Sequence, residues 1–530
     1  MTDPSQTTTQ RALMMNSPRF QPRVVHVPEP LIEFGMGQTL TYPRDGLFLY
    51  GPVDAAGQPA VIRYGVIGTA EGVRRFREWS QTVRKMIDIP PPGPRSRSVE
   101  PQHVTFPGFE EAFRASWPSE PAAIIGDINP AQIDRALHLD NHFEAVKRTV
   151  ELYVLRLVAE VNRLENPPAF WFVIVPDVVY ELGRPQSVVK KSERIVGSVR
   201  VSRGRARDLV ASPTLFGDEE REAEVYQYAP NFRRQLKARL LKEKVVTQLA
   251  RESTLTPHEF QRPGAPPIVQ DAATVAWNMC TTAYYKAGGR PWQLANVRPG
   301  VCYVGLVYKR IDQLSTDVRH ACCAAQMFLT NGDGIVFRGA LGPWFQPDTK
   351  QFHLDRNAAR NLISMVISEY RSIHGAAPTE LFVHAKARFS DDEWFGFTDA
   401  IEAPTKLVGI QVSHANDLKL FRPGAYPTIR GTALQVSERS AYLWTSGFVP
   451  RIDTYMGPET PNPILVRVIR GHCPIETVLT DIMGLTKINF NSCANNDRLP
   501  VTITFADDVG DVLVSAPTDS EPRLPFKFYI

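Results

Sequence analysis

The chain has 530 residues, 43% of them hydrophobic and 22% charged, a balance that excludes a disordered or fibrous chain and supplies cores for about three to four domains. Its 60 Lys and Arg against 56 Asp and Glu leave a formal charge of +4, too small to point to nucleic acid by itself. No apolar run reaches the roughly 18 residues needed to cross a bilayer, and Met1 to Arg23 has no apolar stretch of signal-peptide type, so the expected location is the cytoplasm.

Residues 1–26 read as a disordered tail, because the polar stretch rich in Thr, Ser, Gln and Arg lacks apolar periodicity; ordered structure is expected from near Leu31. Short apolar runs then alternate with turn signals: Leu31 to Phe34, a turn at Pro43-Arg-Asp-Gly46, Leu47 to Tyr50, and Val61 to Ile67. They predict a small set of strands joined by tight turns. A helix-like stretch from Glu71 to Ile87 stops at Pro90-Pro-Pro-Gly-Pro94, since proline lacks the amide donor and clashes with the preceding turn.

Phe143, Val146, Val150, Tyr153, Val154, Leu157, Val158 and Val161 recur at helical spacing and predict one long amphipathic helix from Asp140 to Glu165. After Asn166-Pro-Pro168 comes Phe170-Trp-Phe-Val-Ile-Val175, a continuous apolar run of the kind buried on both faces of a parallel sheet, and a new α/β unit is expected to begin there. The second half alternates in the same way: strands Val301–Tyr308, Leu381–His384, Leu407–Val412, Ala441–Trp444 and Ile464–Ile469, with helices Arg356–Ile373, Asp391–Ala400 and Ile475–Gly484. A parallel or mixed sheet covered by helices follows.

Cysteines 280, 302, 322, 323, 473 and 493 form no C-x-x-C pair, and no histidine stands at zinc-finger spacing. Cys322 and Cys323 lie in a small apolar run and read as buried free thiols. With neither H-E-x-x-H nor G-x-S-x-G, the chain signals no metalloprotease and no serine hydrolase.

Two segments break the charge balance. From Lys190 to Arg207 run seven basic residues and one acid, Glu193; from Asn231 to Lys244 run six and one acid, Glu243. Between them lies the acidic patch Asp218, Glu219, Glu220, Glu222 and Glu224. Either basic segment could be a solvated face or an anion-binding surface. The second has further structure: Arg233 and Lys237, four apart, share a helix face, where two cations repel unless an anion lies between them. Gln248 follows, and a helix-like stretch from Ala272 carries Lys286 just before Gly288-Gly289, which permits a sharp turn. Two lysines, an arginine and an amide could hold a terminal phosphate through charge-assisted hydrogen bonds.

The order Lys237, Gln248, Lys286-x-Gly-Gly between two α/β units resembles the MID domain of Argonaute proteins, with Phe172-Val-Ile-Val-Pro-Asp177 similar to its opening strand. From about Val297 onward the chain looks like a PIWI domain, an RNase H-like fold. Phe34-Gly35, Arg44-Asp-Gly-Leu47, Tyr50-Gly-Pro52, Tyr284 to Trp292, Val304 to Lys309, Ala321 to Phe328 and the ending Pro525-Phe-Lys-Phe-Tyr-Ile530 are similar to short prokaryotic Argonautes that pair with a TIR-APAZ subunit. The resemblance implies an α/β fold class: an N-terminal strand and helix region over 27–165, a Rossmann-like MID domain over 166–292 and an RNase H-like PIWI domain over 293–530. It implies that Lys237, Gln248 and Lys286 bind a guide 5′-phosphate. Arg233 stands at the motif's usual Tyr or His position, a departure from its base-stacking residue. A C-terminal carboxylate, here Ile530, would enter the pocket and hold Mg²⁺ with Gln248, and Phe526, Phe528 and Tyr529 give that tail apolar side chains to dock.

A cutting PIWI domain needs acids from several strands to hold two Mg²⁺ ions about 3.5 to 4 Å apart. Val307 takes the first acid's place, and Lys386 in Ala385-Lys-Ala387 stands where Arg-Asp-Gly is expected, bringing positive charge to a cation site. Asp507 keeps the last acid, but one carboxylate cannot organise two metals. Asp391-Asp-Glu393 could rescue the site, yet three consecutive residues cannot all point one way, and a solvated helix start is the expected role. The resemblance therefore implies a catalytically inactive, guide-RNA-binding subunit that recognises single-stranded DNA and activates an APAZ-effector partner. The partner implied first is a TIR NAD(P)ase acting in immunity against plasmids or phage, in a heterodimer that assembles further on target. Sirtuin-like or nuclease APAZ effectors, and a guide-directed nuclease using displaced acids, stay as alternatives.

Overall fold

In a computed structural model the described residues are 20–54, 59–89, 103–211, 217–262, 270–310, 321–328, 334–342, 344–346, 351–455, 459–493, 498–517 and 524–530. The expected tail up to residue 19 and the Pro90–Pro94 segment lie outside them. The main strands in chain order are β1 (Arg23–His26), β2 (Tyr64–Ile67), β3 (Ala123–Ile125), β4 (Phe170–Val175), β5 (Thr247–Arg251), β6 (Val301–Arg310) and β7 (Ala321–Phe328). Then come β8 (Gly334–Gly342), β9 (Glu380–Ala385), β10 (Lys406–His414), β11 (Thr432–Ser437), β12 (Ser440–Leu443) and β13 (Ile464–Arg470). The helices that matter below are α1 (His142–Arg163), α2 (Phe232–Leu240), α3 (Ala272–Lys286), α4 (Arg356–His374), α5 (Asp391–Asp399) and α6 (Val501–Leu513).

Four parallel strands form the smaller sheet in the order β3-β2-β4-β5. All six residues of β4 are buried, as its unbroken apolar run requires of a central parallel strand. The sheet crosses the expected division at residue 165: β2 and β3 come from the N-terminal region and pair with, or beside, β4. The two segments therefore share one sheet, because β2 alone supplies a partner to that edge of β4. Helix α1 buries Val146, Val150, Tyr153 and Leu157 against this sheet and is capped by Asn141, whose side chain accepts from the amides of Phe143 and Glu144.

The larger sheet is mixed, in the order β1-β11-β12-β13-β10-β9-β6-β7-β8. Strands β6, β7 and β8 make an antiparallel meander, and β9 and β10 run parallel to β6. Helices α4 and α5 cover one face, where Leu362, Val366 and Phe397 meet Val304 and Val383; α6 packs on the other, where Val307 meets Ile503 and Val509 within a second core.

Two expectations for the N-terminal region change. Residues 23–26 are not tail: they form β1, antiparallel to β11, where edge amides and carbonyls find partners. Leu47 to Tyr50 is not a strand but the end of a helix, Pro43–Tyr50. Pro43 occupies its first turn, where the missing amide costs nothing, and Asp45 lies beside the positive end of the helix dipole. Cys280, Cys302 and Cys493 are buried free thiols and Cys473 is half-buried; the side chains of Cys322 and Cys323 fall outside the description. Among the described residues no helix is long and apolar enough to cross a membrane.

The N-terminal segment is anchored to the larger sheet by a buried ion triad. Glu29 pairs with Arg430 at 3.0 Å and with Lys487, whose ammonium also donates to the Thr41 carbonyl at 2.8 Å. Burial pushes Lys487 down to about 7, helped by the Arg430 charge and opposed by Glu29. Two buried cations thus share one carboxylate. Glu29→Gln should cost about 3–5 kcal/mol by leaving both uncompensated, read as a lower thermal midpoint; an unchanged midpoint would show that the triad does not hold this segment.

Candidate functional site

Helix α2 starts at Asn231, whose side chain accepts from the Arg234 amide at 3.0 Å, and this start turns Lys237 inward. Helix α3, capped by Asp271, is buried almost all round and ends with Lys286 also pointing inward. Gly288 then takes a φ of 103°, the left-handed region open to glycine, and reverses the chain. The two lysines, 2% and 0% exposed, converge on the first residues of β5.

Lys237 Nζ donates to the Thr247 carbonyl at 3.1 Å and to the Ile530 main-chain oxygen at 2.6 Å. Lys286 Nζ donates to the same two oxygens at 2.8 Å each and to Gln248 Oε1 at 2.6 Å. Ile530 gets there because the final segment docks: Phe526, Tyr529 and Ile530 are buried, and Phe526 meets the Phe505 ring of α6 edge-on at 5.0 Å. The sequence order Lys237, Gln248, Lys286, Ile530 thus becomes one pocket.

Burial holds both ammoniums well below the ordinary lysine value; the Lys286 and Arg233 charges push Lys237 further down, and Arg233 does the same to Lys286. Arg233 itself is exposed at the mouth, where it also feels Asp508 and Asp511 of α6. Three cations, Lys237, Lys286 and Arg233, thus gather around the Thr247 carbonyl and a single carboxylate, that of Ile530, so positive charge is in excess. An anion entering at the mouth relieves that excess, and a phosphate offers enough oxygens to meet all three.

The first basic segment behaves differently. Its cations are solvated or answered by the acidic patch: Arg205 pairs with Glu219 at 3.0 Å, and Glu222 accepts from the amides of Arg200 and Val201. The solvated-face reading fits there, and the converging buried cations are those of the second segment and α3.

The three degenerate positions also meet. Val307 on β6, Lys386 just beyond β9 and Asp507 on α6 come together at one end of the larger sheet. Asp507 takes an ammonium on each oxygen: Lys309 on Oδ1 at 2.8 Å and Lys386 on Oδ2 at 3.1 Å. Burial would raise the Asp507 carboxyl, but the two lysines outweigh it and hold it below its ordinary value. Lys309 also pairs with Asp511 at 2.7 Å. Its stem crosses α6 over Gly510, where an added Cβ would come within 2.8 Å of Lys309 Cγ. Lys309 and Asp511 were missed by sequence reasoning. The available signal was the strand period of two, which puts Lys309 on the Val307 face.

Asp391, Asp392 and Glu393 diverge. Asp391 and Asp392 are exposed at the start of α5, with Asp391 against Arg470. Glu393 instead turns inward on the opposite side of the sheet from Val307, closing a capping box with Ser390 and accepting from His353 at 2.7 Å, the Leu354 amide and the Tyr308 hydroxyl. The solvated role therefore fits the two aspartates and not Glu393.

No known protein-family model matches the chain. Over 242 residues it is 24% identical to the protein argonaute of Aquifex aeolicus, a segment that is 45% of this chain and 31% of that protein. Among solved structures it is similar to Clostridium butyricum Argonaute bound to a guide DNA and a 19-mer target DNA, with a TM-score of 0.58, 14% identity, and coverage of 97% of this chain and 56% of that one. Aquifex aeolicus Argonaute with externally bound siRNA gives a TM-score of 0.55 at 15% identity, covering 96% and 56%. The fold is that of Argonaute. This chain spans little more than half the length of those Argonaute structures. The parallel sheet with the lysine pocket is the Rossmann-like MID part of the Argonaute fold, and the mixed sheet is its RNase H-like PIWI part.

Because the free pocket lowers the proton affinity of Lys237 and Lys286, an anion bound between them raises it, and the complex holds more protons than its separated parts. Above about pH 7.5, where a phosphate monoester is already a dianion, binding of a 5′-phosphorylated oligonucleotide should take up protons and weaken as pH rises. Calorimetry in two buffers of different ionisation heat measures the uptake; none would mean that both lysines are fully charged in the free protein.

Proposed function

We propose that the chain is a guide-binding, catalytically silent Argonaute subunit that pairs a 5′-phosphorylated RNA guide with single-stranded DNA and passes the signal to an effector partner. The pocket of Lys237, Lys286, Gln248 and Ile530 carries the reading, since its two buried ammoniums outnumber its one carboxylate, that of Ile530, and Arg233 stands exposed beside them. Lys237 and Lys286 would bind the guide's terminal phosphate, and Arg233 would neutralise it from the solvent side. Target selection would rest on base pairing, with the protein holding the backbone.

Mg²⁺ fits this donor set. Gln248 Oε1 and the Ile530 oxygen are hard ligands directed at one point, now filled by the Lys286 ammonium, and guide phosphate and water would complete the coordination. The ion would supply further positive charge to the guide's 5′ end. EDTA should therefore loosen guide retention; undiminished retention would assign both oxygens to Lys286.

Silence is supported by the fate of the acidic positions. Val307 cannot ligate a metal, and Asp507 already spends both oxygens on ammonium groups. With guide, matched DNA and Mg²⁺ or Mn²⁺, the target should stay intact; a cut target would overturn the reading and favour displaced acids. Sequence resemblance supplies the partner, an APAZ chain carrying a TIR domain, in a cytoplasmic defence against plasmids or phage. Nucleic acid released from the purified protein should be short RNA with a 5′-phosphate. Adding the TIR-APAZ chain and a matched target should start NAD(P) consumption; nucleic-acid cutting or a sirtuin-type reaction by the natural partner would assign the alternative effectors.

A further inference from the structure

The helix Ala70–Thr82 sets Glu71, Arg74, Arg75 and Glu78 on one face, because residues three, four and seven apart line up. That face meets the chain leaving the carboxyl end of β5, where Glu252 opens one short helix and His258 and Glu259 stand in the next, Pro257–Phe260. Arg74 pairs with Glu71 at 2.8 Å, Glu78 at 3.2 Å and Glu259 at 2.5 Å. Arg75 pairs with Glu71 at 3.2 Å and with Glu252 and Glu259 at 2.8 Å each. Four carboxylates thus enclose two guanidiniums, which leaves this cluster an excess of two negative charges.

His258 adds a nitrogen donor. Its Nε2 stands 3.4 Å from Glu78 Oε1, while Arg74 takes the other oxygen of that carboxylate. The separation is longer than an ordinary hydrogen bond. It matches two ligands of one tetrahedral zinc, which stand about 3.3 Å apart when the bonds are about 2.0–2.1 Å. An oxygen of Glu259 completes the group, with all three ligand atoms within 4.8 Å of one another. Among the described residues no other three His, Cys, Asp or Glu side chains come together in this way.

We propose that Glu78, His258 and Glu259 bind one divalent transition ion of the zinc class, with water in the fourth position. The ion's two charges offset the local excess, and the imidazole selects zinc over magnesium, which keeps to oxygen ligands. Arg74 and Arg75 remain as outer partners that orient the ligands, since a carboxylate offers about four lone-pair directions and Glu259 can serve guanidinium and metal together. The ion cross-links the helix Ala70–Thr82 to the segment after β5, a join otherwise made by partly exposed ion pairs that hold little individually. Strand β5 starts at Thr247 and Gln248 in the lysine pocket and reaches this site from its other end, so the ion is separate from any Mg²⁺ at a 5′-phosphate.

The test titrates zinc chloride into the intact chain, stripped of metal with EDTA and returned to buffer holding magnesium in excess, and follows binding by calorimetry and by the thermal midpoint. Wild type should take up one zinc ion at this site, with a midpoint that rises as zinc is added. His258→Ala and Glu78→Gln should each weaken that binding about a hundredfold and lose the rise. Their midpoints in EDTA should equal that of wild type, because the two side chains are 67% and 44% exposed. No zinc bound by wild type, or an affinity unchanged in either variant, would overturn the site.

Discussion

Two buried ammonium groups, from helices far apart in sequence, share the Thr247 carbonyl and the Ile530 oxygen, and much of the molecule is arranged to bring them there. Each lysine is desolvated, the Lys286 charge weakens the hold of Lys237 on its proton, and the two share the single Ile530 carboxylate. A folded protein tolerates that only where packing around the site is strong and where an incoming anion repays the cost. The packing is visible: α3 is buried nearly all round, and the last residues lie in the same core as α6. On the proposed reading such a pocket would favour an anion over a neutral 5′ end, which leaves two cations sharing one carboxylate.

Helix α6 ties this pocket to the larger sheet. Its carboxylates serve both ends: Asp507 and Asp511 take Lys309, Asp511 also takes Arg234 of α2, and Asp508 faces Arg233 at the pocket mouth. A continuous run of alternating charges thus extends from Lys386 to Arg234 on α2. Where a metal-dependent nuclease would gather acids around mobile cations, this chain has built the cations in as side chains.

Much of this was legible in the sequence because it rests on local signals. The six-residue apolar run of β4 and the heptad-like spacing of α1 each specify one element without help from the rest. Lys237, Gln248 and Lys286 could be grouped by order and helix phase. Two kinds of information were not local. Pro43-Arg-Asp-Gly46 carries both turn and helix-start chemistry, and packing chose the helix. Arg23 to His26 holds only two apolar residues, Val24 and Val25, in too short a run to signal a strand, and the unpaired edge of β11 makes it one. Likewise Lys309 reads as an ordinary strand residue until α6 brings Asp507 and Asp511 over it, and Glu393 reads as part of an exposed acidic run until Tyr308, His353 and the Leu354 amide close around it.

The central claim is that Lys237 and Lys286 form a pocket for a terminal phosphate. It is tested most directly by measuring the affinity of the intact chain for one RNA bearing either a 5′-phosphate or a 5′-hydroxyl, in wild type and in the Lys237→Met, Lys286→Met double variant. Methionine keeps the length of the side chain and removes the buried charge, so the variant should fold at least as well as wild type. Wild type should prefer the phosphate by about a hundredfold, as two charge-assisted contacts imply, and the variant should lose most of that preference while binding the hydroxyl form as before. Equal affinity for the two ends in wild type, or a preference that survives in the variant, would contradict the account.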